Sequence, residues 1–139
     1  MALTNNIKVE ALLDGYVVPY LASAEDIFYQ GALVCTNAAG KLVVAADAAN
    51  NVFAGVVEEY KSAVADSVVK VRRNAVVWID HTGAALTDIG DDVFASADDA
   101  VLATSTNCRR MGIVVGADTA GGRLLIDMSL GNAIINTTE

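Results

Sequence analysis

The sequence contains very little proline, cysteine, histidine or aromatic side chain. Its 139 residues include one Pro, two Cys and one His, and Phe, Trp and Tyr together make up 6%. A single Pro excludes Pro-rich linkers. Cys35 and Cys108 form no CxxC motif and no zinc-ligand spacing, so we expect both to be small buried hydrophobes, and the sequence leaves a disulfide between them open. His81 stands alone, which argues against a catalytic triad or a zinc centre and favours a turn residue.

Positive charge is also scarce. Nine Lys and Arg residues face seventeen Asp and Glu residues, giving a formal net charge of −8. Nucleic-acid binders carry a basic footprint, and acidic membrane surfaces repel an acidic chain, so we predict neither partner. No apolar run approaches the roughly 18 residues of a bilayer span. The first residues lack the pattern of a cleaved signal peptide, which predicts a protein made in the cytoplasm and not secreted by that route.

What the chain has in abundance is small apolar residues. Hydrophobic residues make up 54% and charged residues only 19%. A chain of this length is typical of one domain, here residues 1–139, with a core large enough to be stable without cross-links. The apolar excess comes mainly from Ala and Val, which indicates a subunit that buries surface in an assembly.

The most informative pattern is a doubling. Residues 31–73 and 90–128 each run through a Gly-x-x-Val motif, a short apolar strand, a second strand containing Gly and Val, and a third apolar strand. Gly55 and Gly112 occupy matching strands, and we expect each to mark a bulge or a close backbone approach. Short apolar runs between glycine-marked turns are strands, so the doubling predicts an all-β body built from two similar halves.

Turn signals along the chain refine this prediction. They recur every 8–12 residues, the spacing of a compact β-barrel or sandwich. Residues 1–6 are small and polar and are predicted to form a flexible N-terminal arm before a strand that begins at Ile7. Pro19 places residues 16–20 at a sheet edge or a strand end. Asn37–Gly40 is predicted to be a hairpin turn, and residues 21–30 are predicted to include one helical turn.

No group of side chains predicts a reaction, so the remaining candidates are surface residues. Trp78 is either a core residue or an interface anchor. Two basic pairs either bridge to acidic surfaces of a neighbouring subunit or pair with acids of this chain. These subunit-interface candidates are Trp78, Arg72, Arg73, Arg109 and Arg110.

The order of these motifs resembles the cement, or head-decoration, proteins of tailed bacteriophages. Gly31-Ala32-Leu33-Val34 and Gly90-Asp91-Asp92-Val93 match the family's Gly-x-x-Val motifs. Phe53–Val57 and Met111–Val115 match its Gly-Val strands, and Val69–Val77 matches its long strand. The resemblance covers residues 14–130, and the chain departs from the family at Asn74, where a Gly is usual.

The resemblance implies a β-clip or β-tulip type of fold and a non-enzymatic function without a cofactor. Such a protein binds the outer surface of the expanded capsid, where its partners are the major capsid protein and further copies of itself, in trimers or in dimers. It is made in the host bacterium's cytoplasm and ends on the virion. The N-terminal arm would add a strand to a capsid sheet. The capsid-binding candidates are therefore Ala2, Leu3, Thr4, Asn5 and Ile7.

Two other classes of function stay open. A tail-tube, head-fibre or surface-layer subunit would share the all-β pattern and differ in its location. A small β-barrel enzyme or ligand carrier of the cupin type would need several His and Glu side chains in the mouth of the barrel. The single His makes this class the weaker alternative.

Overall fold

A computed structural model of the protein describes residues 11–13, 15–46, 51–102 and 111–128. These residues form thirteen strands and one short 3-10 helix, Leu86–Asp88. The strands are β1 (Ala11–Leu13), β2 (Tyr16–Leu21), β3 (Asp26–Phe28), β4 (Leu33–Thr36), β5 (Leu42–Val44), β6 (Val52–Val57), β7 (Lys61–Ala63), β8 (Val68–Arg73), β9 (Val76–Asp80), β10 (Asp92–Ala97), β11 (Ala100–Leu102), β12 (Gly112–Asp118) and β13 (Arg123–Asp127). The predicted all-β class is confirmed.

The described strands form three sheets. The first has six strands in the order β1-β9-β13-β12-β10-β11, the second has five in the order β2-β8-β6-β4-β5, and β3 pairs with β7 in a two-stranded ribbon. All of these neighbouring strands are antiparallel. β2 lies at the edge of the five-stranded sheet, as Pro19 predicted.

The two large sheets repeat one topology. Five strands of the first sheet follow the order β9-β13-β12-β10-β11, and the second sheet follows β2-β8-β6-β4-β5. When the five strands of each set are numbered in chain order, their order across the sheet is 1-5-4-2-3 in both cases. This common order is what the doubled sequence pattern predicts.

Matching hydrogen bonds extend the correspondence to single residues. The Gly31 N–H donates to the Val57 carbonyl at 3.0 Å, and the Gly90 N–H donates to the Val114 carbonyl at 2.8 Å. These two glycines open the two Gly-x-x-Val motifs, so the motif performs the same structural task in each half.

Gly55 and Gly112 both lie where two backbones approach closely. A Cβ atom on Gly55 would overlap the Arg72 carbonyl oxygen of β8, and one on Gly112 would lie 2.6 Å from the Asp127 carbonyl oxygen of β13. The register of β6 against β4 also shifts beside Gly55. The predicted close approach is therefore present in both halves, and the predicted bulge accompanies it at Gly55.

Two clusters of buried residues hold the sheets together. The first fills the space between the two large sheets; the second lies between the five-stranded sheet and the ribbon. Strand β4 contributes to both clusters, because Leu33 faces the first and Val34 faces the second, as alternation along a strand requires. The five-stranded sheet is thus covered on both faces at β4.

The five-stranded sheet curls toward closure at one end. Ala22, just beyond β2, forms an isolated parallel bridge to Leu42 of β5, and the Ser23 N–H donates to the Leu42 carbonyl at 2.9 Å. Phe28, from the ribbon, is 1% exposed within the second cluster. The curled sheet and the ribbon together enclose that cluster.

Two turn predictions had different outcomes. The hairpin at Asn37–Gly40 is confirmed: it joins β4 to β5, and the Asn37 side-chain oxygen accepts from the N–H groups of Ala39 and Lys41. The prediction of a helical turn in residues 21–30 was wrong, because these residues comprise the end of β2, the bridge at Ala22, a bend and strand β3. The segment pairs with β7 and Phe28 packs into the second cluster, and these tertiary contacts outweigh the weak helix-start signal.

At Asn74 the chain departs from the resembled family's glycine. Its φ is +56°, and Asn is one of the few residues other than Gly that adopt this left-handed conformation readily. Asn74 links β8 to β9, so the turn keeps a glycine-like backbone with a different residue.

Candidate functional site

Trp78 lies on β9, on the outer face of the six-stranded sheet. It is half-buried and belongs to neither core cluster. The Arg123 guanidinium carbon lies 4.8 Å from the centroid of its ring, the geometry of a cation–π contact. Trp78 is therefore held against the sheet by a neighbouring strand while part of its surface stays accessible to solvent.

The Arg123 side chain is itself oriented by Asp118. Its Nη2 lies 3.2 Å from Asp118 Oδ2, and the Gly121 N–H donates to Asp118 Oδ1 at 2.8 Å. The Gly121 N–H first, and Arg123 second, lower the pKa of Asp118 below its usual range. The Asp118 carboxylate, at the β12–β13 turn, thus orients the Arg123 guanidinium that covers Trp78.

A pocket of about 580 Å³ opens beside Trp78. It is bordered by the turn that contains His81, by the turn between β12 and β13, and by Asp99. His81 follows directly after β9, and its N–H donates to the Gly122 carbonyl at 2.8 Å. One oxygen of Asp99, Oδ1, is buried with no hydrogen-bond partner among the described residues.

Within the described residues, no three His, Cys, Asp or Glu side chains are grouped to hold a metal ion.

The first basic pair makes two different contacts within the chain. Arg72 and Glu58 form a two-pronged ion pair, with Nε–Oε1 at 2.7 Å and Nη2–Oε2 at 2.8 Å. Arg73 donates from Nη1 to the Tyr20 hydroxyl at 2.5 Å. Arg72 therefore has a local acidic partner, whereas Arg73 contacts a hydroxyl group.

The Arg72–Glu58 pair gives stability a specific pH dependence. The hydrogen bonds from Arg72 lower the pKa of Glu58 below its ordinary value near 4.5. Because the folded-state pKa is the lower one, the pair's contribution is complete above about pH 4.5 and is lost as the pH falls through the folded-state pKa. We expect Glu58→Gln to cost about 1 kcal/mol at neutral pH, since the pair is partly screened by water, and to flatten the stability curve below pH 4.5.

Urea denaturation as a function of pH measures this effect. Glu59→Gln is the matched control, because Glu59 contacts Lys70 at 3.2 Å in a pair that is well exposed to water. If the two variants gave the same pH profile, the proposed role of the Arg72–Glu58 pair would be wrong.

Exposed large apolar residues form a further surface feature at the edge of the five-stranded sheet. Val17 and Leu21 of β2 are 42% and 45% exposed, and Val68, which pairs with Leu21, is 51% exposed. The sequence patterns did not single out these residues. The one signal was Pro19, which marked β2, the strand of Val17 and Leu21, as an edge.

Several candidates from the sequence lie outside the described residues. These are Ala2, Leu3, Thr4, Asn5 and Ile7 of the arm, together with Arg109 and Arg110. Cys108 also lies outside, while Cys35 is buried on β4.

Within the described residues, no helix has the length and apolar character needed to cross a membrane. Comparison of the sequence with known proteins gives no matching family model and no matching curated protein.

Proposed function

We propose that this chain is a structural cement protein of a tailed bacteriophage, which binds the outer surface of the expanded head and stabilises contacts between capsomers. The observation that carries the proposal is the doubled all-β body. Its matching Gly-x-x-Val motifs and matching strand glycines are the residues on which the family resemblance rests. In this proposal the chain catalyses no reaction and requires no cofactor.

The mechanism is cross-linking by many weak contacts. Each copy contacts the major capsid protein and neighbouring copies of itself, with a trimer favoured. Repetition over the head converts modest individual affinities into a high overall avidity. The shell is thereby held against the outward pressure of the packaged DNA.

The N-terminal arm is assigned the capsid contact. Main-chain hydrogen bonds between the arm and a capsid sheet supply affinity, and side chains such as Leu3 seat in pockets of the shell. Trp78, Arg73, Arg109 and Arg110 are assigned to contacts between subunits. Arg72 is the weakest member of that group, because its guanidinium is already bound to Glu58.

The test is a binding experiment with heads of the phage that encodes the chain. Purified protein is mixed with expanded heads and with unexpanded precursor heads, and the bound fraction is measured after sedimentation. We expect saturable binding to expanded heads and little binding to precursors. Absence of binding to expanded heads, or self-assembly of the purified protein into tubes or fibres, would overturn the proposal in favour of another structural module.

A further inference from the structure

The doubled topology makes the two sheets equivalent residue by residue, and they differ at one edge, where the second sheet has no described strand beside β2. The close approach of Gly55 to Arg72 matches that of Gly112 to Asp127, so Arg72 and Asp127 are equivalent. Val17 pairs with Arg72, and Val76 pairs with Asp127. Val17 and Val76 are therefore equivalent residues of β2 and β9.

The outer edge of β9 carries an additional strand. β1 pairs there, with Leu13 opposite Val76 and Ala11 opposite Val77. No described strand pairs with the equivalent edge of β2. The exposures follow this difference, since Val76 is 7% exposed and Val17 is 42% exposed.

The backbone of β2 is oriented to accept such a strand. The Ala22 N–H donates to the Ser67 carbonyl next to β8, just as the His81 N–H donates to the Gly122 carbonyl next to β13. Because backbone groups alternate in direction along a strand, the N–H and C=O of Val17 point away from β8. Pro19 has no N–H that could donate to a docked strand. It lies beyond Val17 and Val18, which are equivalent to Val76 and Val77, the two residues of β9 that pair with β1.

The positive charge of Arg73 indicates which kind of strand would bind at the edge of β2. Arg73 ends β8 and lies opposite Tyr16 at this edge, and among the described residues it donates to the Tyr20 hydroxyl rather than to a carboxylate. A strand that carries an acidic residue beside its apolar part would complement this cation. The sequence of β1 itself has that character, since Glu10 and Asp14 flank Ala11–Leu13.

We infer that the edge of β2 at Tyr16–Val18 receives a short extended segment of a partner protein, apolar at its centre and acidic at its flank, in the position that β1 takes on β9. The naming of that partner as the capsid shell rests on the proposed function, and under this inference Arg73 contacts the shell rather than a neighbouring subunit. The contact is β-strand addition, in which the partner's backbone pairs with Val17 and its aliphatic side chain covers Val17. Pro19 ends the pairing and keeps the docked segment short.

Two variants of the full chain test the inference on expanded heads. Val17→Pro removes the outward N–H, and Val17→Ser is its matched control because it keeps that N–H. Arg73→Met removes the charge and introduces the residue found at the equivalent position, Met128. We expect Val17→Pro to weaken binding per copy about tenfold and Arg73→Met about threefold to tenfold, with Val17→Ser closer to wild type.

The outcomes separate the two proposals. If wild type binds and Val17→Pro binds equally well while keeping the wild-type circular dichroism spectrum, the edge inference is wrong and the cement function stands. If wild type does not bind, the cement function is wrong. The edge is then judged by titrating the full chain with a synthetic peptide of the sequence Val-Glu-Ala-Leu-Leu-Asp, taken from residues 9–14.

Nuclear magnetic resonance is the readout for the peptide. Peptide-dependent amide shifts at Val17 and Val18 of wild type, together with loss of the Val18 shift in Val17→Pro, support the edge as a strand acceptor. Absence of any shift there at millimolar peptide, or shifts confined to other surfaces, overturns it.

Discussion

Gly112→Ala is expected to lower the free energy of unfolding by about 3 kcal/mol or more. A Cβ atom at this position would lie 2.6 Å from the Asp127 carbonyl oxygen and 2.8 Å from Ile126 Cγ2. Both atoms belong to β13, which is paired with β9 on its other side, so β13 cannot move away without disturbing a second strand. Urea denaturation, read as a lower midpoint at an unchanged slope, measures the loss.

Gly55→Ala is the equivalent change in the other half and is expected to cost at least as much. The added Cβ would overlap the Arg72 carbonyl oxygen, and the φ of +152° is one that other residues rarely adopt. Gly40→Ala is the control, since its φ is also positive, at +77°, but nothing lies within 4 Å. It should cost about 1 kcal/mol. Equal losses in all three variants would contradict the role of close backbone approach.

Phe28→Ala is expected to cost about 3–5 kcal/mol, the range for deleting a buried aromatic ring. The ring is 1% exposed and lies in the cluster between the ribbon and the curled five-stranded sheet. Its removal leaves a cavity that the closed end of the sheet, held by the bridge between Ala22 and Leu42, cannot easily collapse to fill. Thermal and urea unfolding measure the change.

Ile27→Ala is the matched control for this prediction. Ile27 is the preceding residue on the same strand, points the opposite way and is 41% exposed. Its truncation should change stability by less than about 1 kcal/mol. A similar loss in both variants would mean that the ribbon does not act as a cover for the second cluster.

Much of this fold follows from local sequence. Short Val-rich runs between turn residues predict strands because β-branched side chains favour an extended backbone. The Asn37–Gly40 turn is predictable because its chemistry is complete within four residues. The repeat is predictable because the same small residues recur where two backbones must approach, as at Gly55 and Gly112.

The ribbon could not be predicted in the same way. β3 and β7 are three-residue strands whose pairing depends on Phe28 and Ala63 reaching a core formed by distant strands. A run of three residues carries too little periodicity to separate a strand from a bend or a helical turn. The prediction failed where tertiary burial, rather than local preference, selects the structure.

In the candidate site, too, some features follow from local sequence and others depend on tertiary structure. Pro19 predicts an edge strand because a residue without an N–H is tolerated where no neighbour needs one. The exposure of Val17 at that edge depends on which strand lies beside it, and this is settled by topology. The contact of Arg123 with Trp78 likewise joins residues far apart in sequence.

The pairing of β1 with β9 has a consequence for the order of events when the polypeptide is made. Ala11 cannot pair with Val77 until Val77 has been synthesised, and every strand from β2 to β8 is synthesised in between. Closing so long a loop costs entropy before its contacts form, so native assembly is expected to be slow and to finish late in translation. The apolar tripeptide Ala11–Leu13 would meanwhile be available to chaperones that recognise unpaired extended chain.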